Sequence, residues 1–130
     1  MDANNNSAHI SKEIEEAYSL AISGRLDEAE IAYITLLEQN PEEPSILGTL
    51  GAIALHKNKL AEAEQFLRRS LSFAPEQAKP WFNLSAVLFR LGDYPGALNA
   101  VDHAQALGFT GAESWNNRGT SRTVGLNAAG

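Results

Sequence analysis

Three histidines and sixteen carboxylates are the residues of this chain best suited to acid–base or metal chemistry, and their spacing assembles neither. His9, His56 and His103 stand in separate segments with no second ligand at metal-binding spacing, so no metal is expected. Asp102 and His103 are neighbours, which on a helix point in different directions, and they read as solvated surface. The serines come with no Gly-x-Ser-x-Gly elbow, and no glycine-rich loop is present to cradle a phosphate. Glu13, Glu15, Glu16, Glu28 and Glu30 alternate with apolar residues at helical period, the layout of a wetted helix face. No catalytic residue and no cofactor site is expected, and the chain reads as a non-enzyme.

Composition narrows the classes further. Of 130 residues, 44% are hydrophobic and 20% charged, which suits a packed domain rather than a disordered chain. Without cysteine, disulfides and thiolate metal sites are excluded. A net charge of −6 with no basic stripe argues against nucleic acid as a partner. The apolar runs, such as Ile53-Ala54-Leu55, are far shorter than the roughly 20 residues a bilayer requires. Met1-Asp2-Ala3-Asn4 lacks the layout of a secretion signal, so no membrane insertion and a cytoplasmic location are expected.

The elements that would carry any function are revealed by self-similarity. The stretch from Ala78 to Gly111 matches earlier parts of the chain at a fixed offset of 34 residues. Ala97 falls on Ala63 and Ala29, Tyr94 on Leu60 and Leu26, Gly92 on Asn58 and Gly24, and Val101 on Leu67 and Tyr33. Pro75 falls on Pro41, and Trp81 on Trp115. The first half of each copy reads Leu47-x2-Leu50-Gly51, then Trp81-x2-Leu84-Ser85, then Trp115-x2-Arg118-Gly119. The second half runs from Asp27-Glu28-Ala29 to Pro41, from Ala61-Glu62-Ala63 to Pro75, and from Pro95-Gly96-Ala97 to Phe109.

A period of this length with these halves resembles the tetratricopeptide repeat family. The resemblance covers nearly the whole chain and implies an all-α superhelical solenoid of helix-turn-helix repeats. The copies are Ile10 to Glu43, Pro44 to Gln77 and Ala78 to Gly111, followed by a partial fourth over 112–130. Phe109 departs from the family in replacing the terminal Pro, and Ile10 to Glu16 lacks the opening aromatic. Gly51 stands where family members bring the two helices of a hairpin close, so a large residue there is expected to force them apart.

Taken in order, residues 1–9 are polar and Asn-rich and read as a disordered leader, with Ser11 as the first N-cap. Gly24 and Gly92 read as helix stops, and Asn58 serves the same turn because Asn tolerates left-handed backbone. Asp93 reads as an N-cap with Pro95 just inside the following helix. Trp81 is expected to be a strong core residue, since truncating a well-buried Trp costs about 3–5 kcal/mol. In the fourth copy Arg122 stands where a large apolar residue belongs. That copy reads either as a polar helix that caps the stack or as a fragment cut from a longer array.

In proteins of this family the first helices of successive repeats line a concave groove. The resemblance places Ile14, Tyr18 and Ile22 there from the first copy, with Glu15 beside them. The second copy adds Thr49, Ala52, Leu55 and His56, the third Lys79, Phe82, Asn83, Phe89 and Arg90, and the fourth Asn117 with Glu113 and Asn116. So apolar a face marks a protein-binding surface. The competing reading places several of these residues in the core of the stack or against the leader. Chaperone-binding members clamp a carboxylate with several Lys, Arg and Asn residues, of which only Lys79 and Asn83 match, so that clamp is not expected. Members resembling O-linked N-acetylglucosamine transferases present Asn at the sixth place of each repeat to an extended peptide; Asn83 and Asn117 match, Glu15 and Thr49 do not.

The function expected is that of a protein-interaction module that takes a peptide or amphipathic helix of another protein. A second reading makes the chain the N-terminal, substrate-presenting part of a larger enzyme such as a glycosyltransferase. A third is a self-associating homo-oligomer, joined through the groove or the fourth-copy edge.

Overall fold

The computed structural model describes the backbone of residues 2–109 and the side chains of residues 10–109. Six helices follow one another: α1 (Asp2–Ile22), α2 (Leu26–Gln39), α3 (Pro44–His56), α4 (Leu60–Phe73), α5 (Ala78–Arg90) and α6 (Tyr94–Ala106). No strand occurs among the described residues. The second helices begin at 26, 60 and 94 and the later first helices at 44 and 78, so the step is 34 residues throughout. The expected phase is therefore the phase of the structure. Only the start differs, because α1 opens at Asp2: the segment read as a disordered leader continues the helix, and Ser11 lies inside it rather than capping it.

Each hairpin turns through the same backbone device. Gly24, Asn58 and Gly92 have φ of 84°, 59° and 88°, in the left-handed region where glycine has no steric penalty and asparagine a small one. The residue that follows each donates its backbone N–H back to the preceding helix, Arg25 to Leu20, Lys59 to Ala54 and Asp93 to Leu88, at 2.8–3.0 Å. Satisfying those carbonyls lets a helix stop without stranding polar groups. Asp93 then caps α6, its carboxylate accepting from the Gly96 N–H at 3.0 Å, with Pro95 in the first turn.

The helices pair as α1 with α2, α3 with α4 and α5 with α6, and successive hairpins meet through α2–α3, α4–α5 and α3–α5. Ala29, Ala63 and Ala97 are 0% exposed, each in the first turn of the second helix of its hairpin. The core is serial. One apolar cluster joins the first two hairpins around Tyr33, Ile46, Leu50 and Ile53. A second joins the last two around Leu67, Leu84, Val87 and Leu88. No hairpin could bury its own apolar stripe alone, and stacking supplies the missing cover.

Trp81 departs from its expected burial. It is only partly buried; its indole N–H donates to the Pro75 carbonyl at 2.8 Å, and its ring stacks on His103 at 4.3 Å. His103 is accordingly not plain solvated surface, since its Nδ1 also meets the Asn99 carbonyl at 2.9 Å.

Candidate functional site

The first helices α1, α3 and α5 enclose an open groove of about 560 Å³. On α3 it is lined by Ser45, Gly48, Thr49, Ala52 and His56, residues three or four apart that share one helix face. Three of these side chains are small or absent, which hollows the middle of the groove. The end of α1 contributes Tyr18 and Ile22, both exposed, and the start of α5 contributes Lys79 and Asn83. Thus seven of the expected residues, Tyr18, Ile22, Thr49, Ala52, His56, Lys79 and Asn83, come together around one space.

The others go elsewhere. Ile14 packs on the first core cluster. Leu55 is a buried member of the second, among Leu84, Val87 and Leu88 of α5. The reason is angular: at about 100° per residue, Leu55 lies a quarter-turn round α3 from His56 and faces the neighbouring hairpin. Phe82 stacks on Phe109 with ring centroids 4.8 Å apart. Phe89 packs on the second cluster and meets Tyr94 at 5.3 Å. Arg90 donates through Nη1 to the Leu55 carbonyl at 3.3 Å, tying α5 to α3. Asn117, with Glu113 and Asn116, lies outside the described residues, as does the partial fourth copy.

One buried residue behind the groove escaped the sequence reading. Tyr33 of α2 is 1% exposed, and its hydroxyl meets no partner at full hydrogen-bonding geometry among the described residues. Burial pushes its pKa above the usual phenol value, with a weak hydrogen bond to Thr49 acting against that rise and the charge of Tyr18 adding to it. Both of those neighbours line the groove. At the sequence level Tyr33 is simply one member of the apolar stripe of α2. Only its phenolic oxygen, which an aliphatic residue would lack, hinted at more.

The electrostatics of the groove differ from those of the chain. The protein carries 16 acids against 10 bases, yet among the described residues no carboxylate lines the groove. Among the described residues Lys79 is its one formal charge, and it forms no ion pair with any of them. Such a surface attracts a neutral or anionic occupant and offers the Asn83 amide as both donor and acceptor. No three His, Cys, Asp or Glu side chains gather as a metal site among the described residues. Nor is any helix among them long and apolar enough to cross a membrane.

Comparison with known proteins follows the same lines. Among solved structures, the first TPR domain of Spaghetti (RPAP3), bound to an HSP90 peptide, aligns with a TM-score of 0.82 at 17% identity. That alignment covers 88% of this chain and 91% of that one. The TPR domain of Arabidopsis OM64 gives 0.83 at 15% identity over 89% and 96%. An O-GlcNAc transferase of Thermobaculum terrenum gives 0.76 at 25% identity over 78% of this chain, which spans 20% of the transferase chain. These likenesses carry the fold. No curated protein sequence matches the chain. The family model described as tetratricopeptide repeat matches residues 14–78, half of the chain. With its constant 34-residue step and three stacked hairpins, the chain belongs to the tetratricopeptide repeat family.

Proposed function

We propose that this chain is a non-catalytic interaction module that holds an extended peptide segment of another protein in the groove between α1, α3 and α5. The observation that carries this reading is a groove to which the described residues bring a lysine without an ion pair and no acid, in a chain of net charge −6. Tyr18 and Ile22 offer an apolar wall to a side chain of the peptide. The Asn83 amide matches a peptide unit, and Lys79 matches a carboxylate on the occupant. The hydroxyl of Thr49 supplies a further polar contact. The RPAP3 domain, similar in fold, was solved with a peptide bound, which supports a peptide as the class of occupant.

The test is selection from a displayed library of random peptides against the full chain, followed by titration of the selected peptides. Lys79→Glu, Asn83→Ala and Ile22→Asp are each expected to weaken binding about tenfold or more, as hot-spot truncations do. Selected peptides that bind all three variants as well as the parent would remove the groove from the account.

A second reading rests on the likeness to the transferase, of which this chain spans a fifth. In that reading the groove presents a substrate segment to a catalytic domain elsewhere in a longer protein. Reading the genomic DNA beyond Gly130 distinguishes the two: an in-frame catalytic sequence favours the enzyme, and an immediate stop codon ends that idea.

A further inference from the structure

Internal repetition supplies its own control, because residues 34 apart occupy equivalent places. Ile31 and Ile34 of α2 break the equivalence. They are 67% and 43% exposed, while the matching residues are Gln65 and Arg68 on α4 and Asn99 and Asp102 on α6. Helix formation gives isoleucine no advantage over glutamine or arginine at such places. These two apolar side chains therefore sit in water on a face that its own repeats make polar.

The face around them has a definite shape. Beside Ile34 a hollow of about 370 Å³ opens between α2 and α4, with Leu50 and Phe66 among its walls. Glu62 and Arg69 of α4 line the same hollow. Seven residues apart, they stand two helical turns, or about 10 Å, from one another. The acids of α2 nearby are already paired: Lys57 holds Asp27 at 2.6 Å and Glu30 at 3.1 Å, and Arg25 holds Glu28 at 2.8 Å. Glu62 and Arg69 have no ionic partner among the described residues. Arg69 gives one Nη2 hydrogen bond to the Pro41 carbonyl at 3.2 Å, and none of its other donors is taken among the described residues.

An unpaired acid and an unpaired base at opposite ends of one helix face complement the same face turned end for end. We infer that the α2–α4 face joins two copies of this chain about a two-fold axis, with Glu62 of each copy against the partner's Arg69. Antiparallel α4 helices in that register place the axis level with residues 65 and 66. One repeat earlier the same level on α2 is 31 and 32, so Ile31 and Ile34 of both copies gather over the hollow at the axis. The symmetry thus brings the charge pairs and the exposed isoleucines into one isologous contact. This surface is separate from the groove, and a peptide and a second copy would bind independently.

Each copy carries a charge of −6, which opposes association, so a weak dimer with a dissociation constant on the order of 100 µM is expected. The test is sedimentation of the full chain from about 10 to 500 µM, bracketing that constant. The weight-average mass should rise from 14.0 kDa toward twice that value. Ile34→Asp, Glu62→Arg and Arg69→Glu should each weaken association about tenfold or more, with helical circular dichroism unchanged. An equimolar mixture of Glu62→Arg and Arg69→Glu should regain it, because both contacts between the two variants then pair opposite charges. A parent that stays monomeric over the whole range overturns the inference. So do single variants that associate like the parent, or a mixture that fails to recover.

Discussion

Gly51 of α3 and Leu67 of α4 leave no room for a methyl group between them. A Cβ on Gly51 would lie 2.6 Å from Leu67 Cγ and 2.7 Å from Cδ2, inside any real contact distance. Ala17 and Ser85 occupy the equivalent places in the other hairpins and are buried, so those hairpins admit a small side chain where the middle one does not. Overpacking costs about 1–3 kcal/mol, whereas alanine gains about 1 kcal/mol over glycine in a helix interior. The clash wins. Gly51→Ala is expected to lower stability by about 1 kcal/mol, a fall of roughly 4 °C in Tm for a domain of this size, measured by thermal unfolding. Gly51→Leu should lose several times as much.

Tyr33→Phe should separate stability from binding. Among the described residues the buried hydroxyl has only a weak hydrogen bond to Thr49, and a poorly satisfied buried group costs about 1–3 kcal/mol, so its removal is expected to leave the fold as stable as before or more so. Peptides selected against the parent should nevertheless bind more weakly, because Thr49, which lines the groove, loses the phenol oxygen beside it. Urea unfolding and peptide titration on the same sample check both signs.

The ion pair of Lys57 with Asp27 and Glu30 links the first hairpin to the second and makes stability depend on pH. The Lys57 ammonium, by hydrogen bond and charge, holds the Asp27 carboxyl below its usual 3.8, and the two acids hold Lys57 above its usual 10.5. A carboxyl with a lowered folded pKa contributes stability above its unfolded value, and loses it as pH falls through the folded one. A lysine with a raised pKa contributes below 10.5 and loses that contribution as pH rises beyond it. Lys57→Met should therefore be less stable than the parent near neutral pH. The gap should close in acid below about pH 4 and again in strong alkali, as thermal midpoints across that range would show.

Phe82 and Phe89 were expected to anchor a partner, and their places in the structure give them another role. Phe82 stacks on Phe109, and Phe89 packs on the core cluster of the last two hairpins. Changing either to Ser should cost about 1–3 kcal/mol of stability, from lost apolar burial and ring contact. Peptide affinity should be unaltered once the folded fraction is matched. A large affinity loss with unchanged stability would return these rings to the groove.

Much of this was legible in the chain because small residues recur at one place in each repeat. Ala29, Ala63 and Ala97 announce three second helices, and Gly24, Asn58 and Gly92 three left-handed turns, all in one phase. What the period could not resolve is the angle around each first helix. α3 is covered by α4 on one side and by the neighbouring hairpins on others, so the arc left open is narrow. Thr49 and His56 fall within it and Leu55 outside, although all three belong to the same short helix. Tyr33 was hidden for a related reason: an apolar stripe records that a side chain is buried, not where its one polar atom ends. Ile31 and Ile34 were legible as exceptions only once the repeats could be laid over one another.

The central claim is that the groove between α1, α3 and α5 receives a peptide. It is tested most directly by resonance mapping of the isotope-labelled full chain titrated with a library-selected peptide. The account predicts that the shifted amides cluster on Tyr18, Ile22, Thr49, Ala52, Lys79 and Asn83, with little change on α4 and α6. Shifts confined to the α2–α4 face, with those six residues silent, would contradict it.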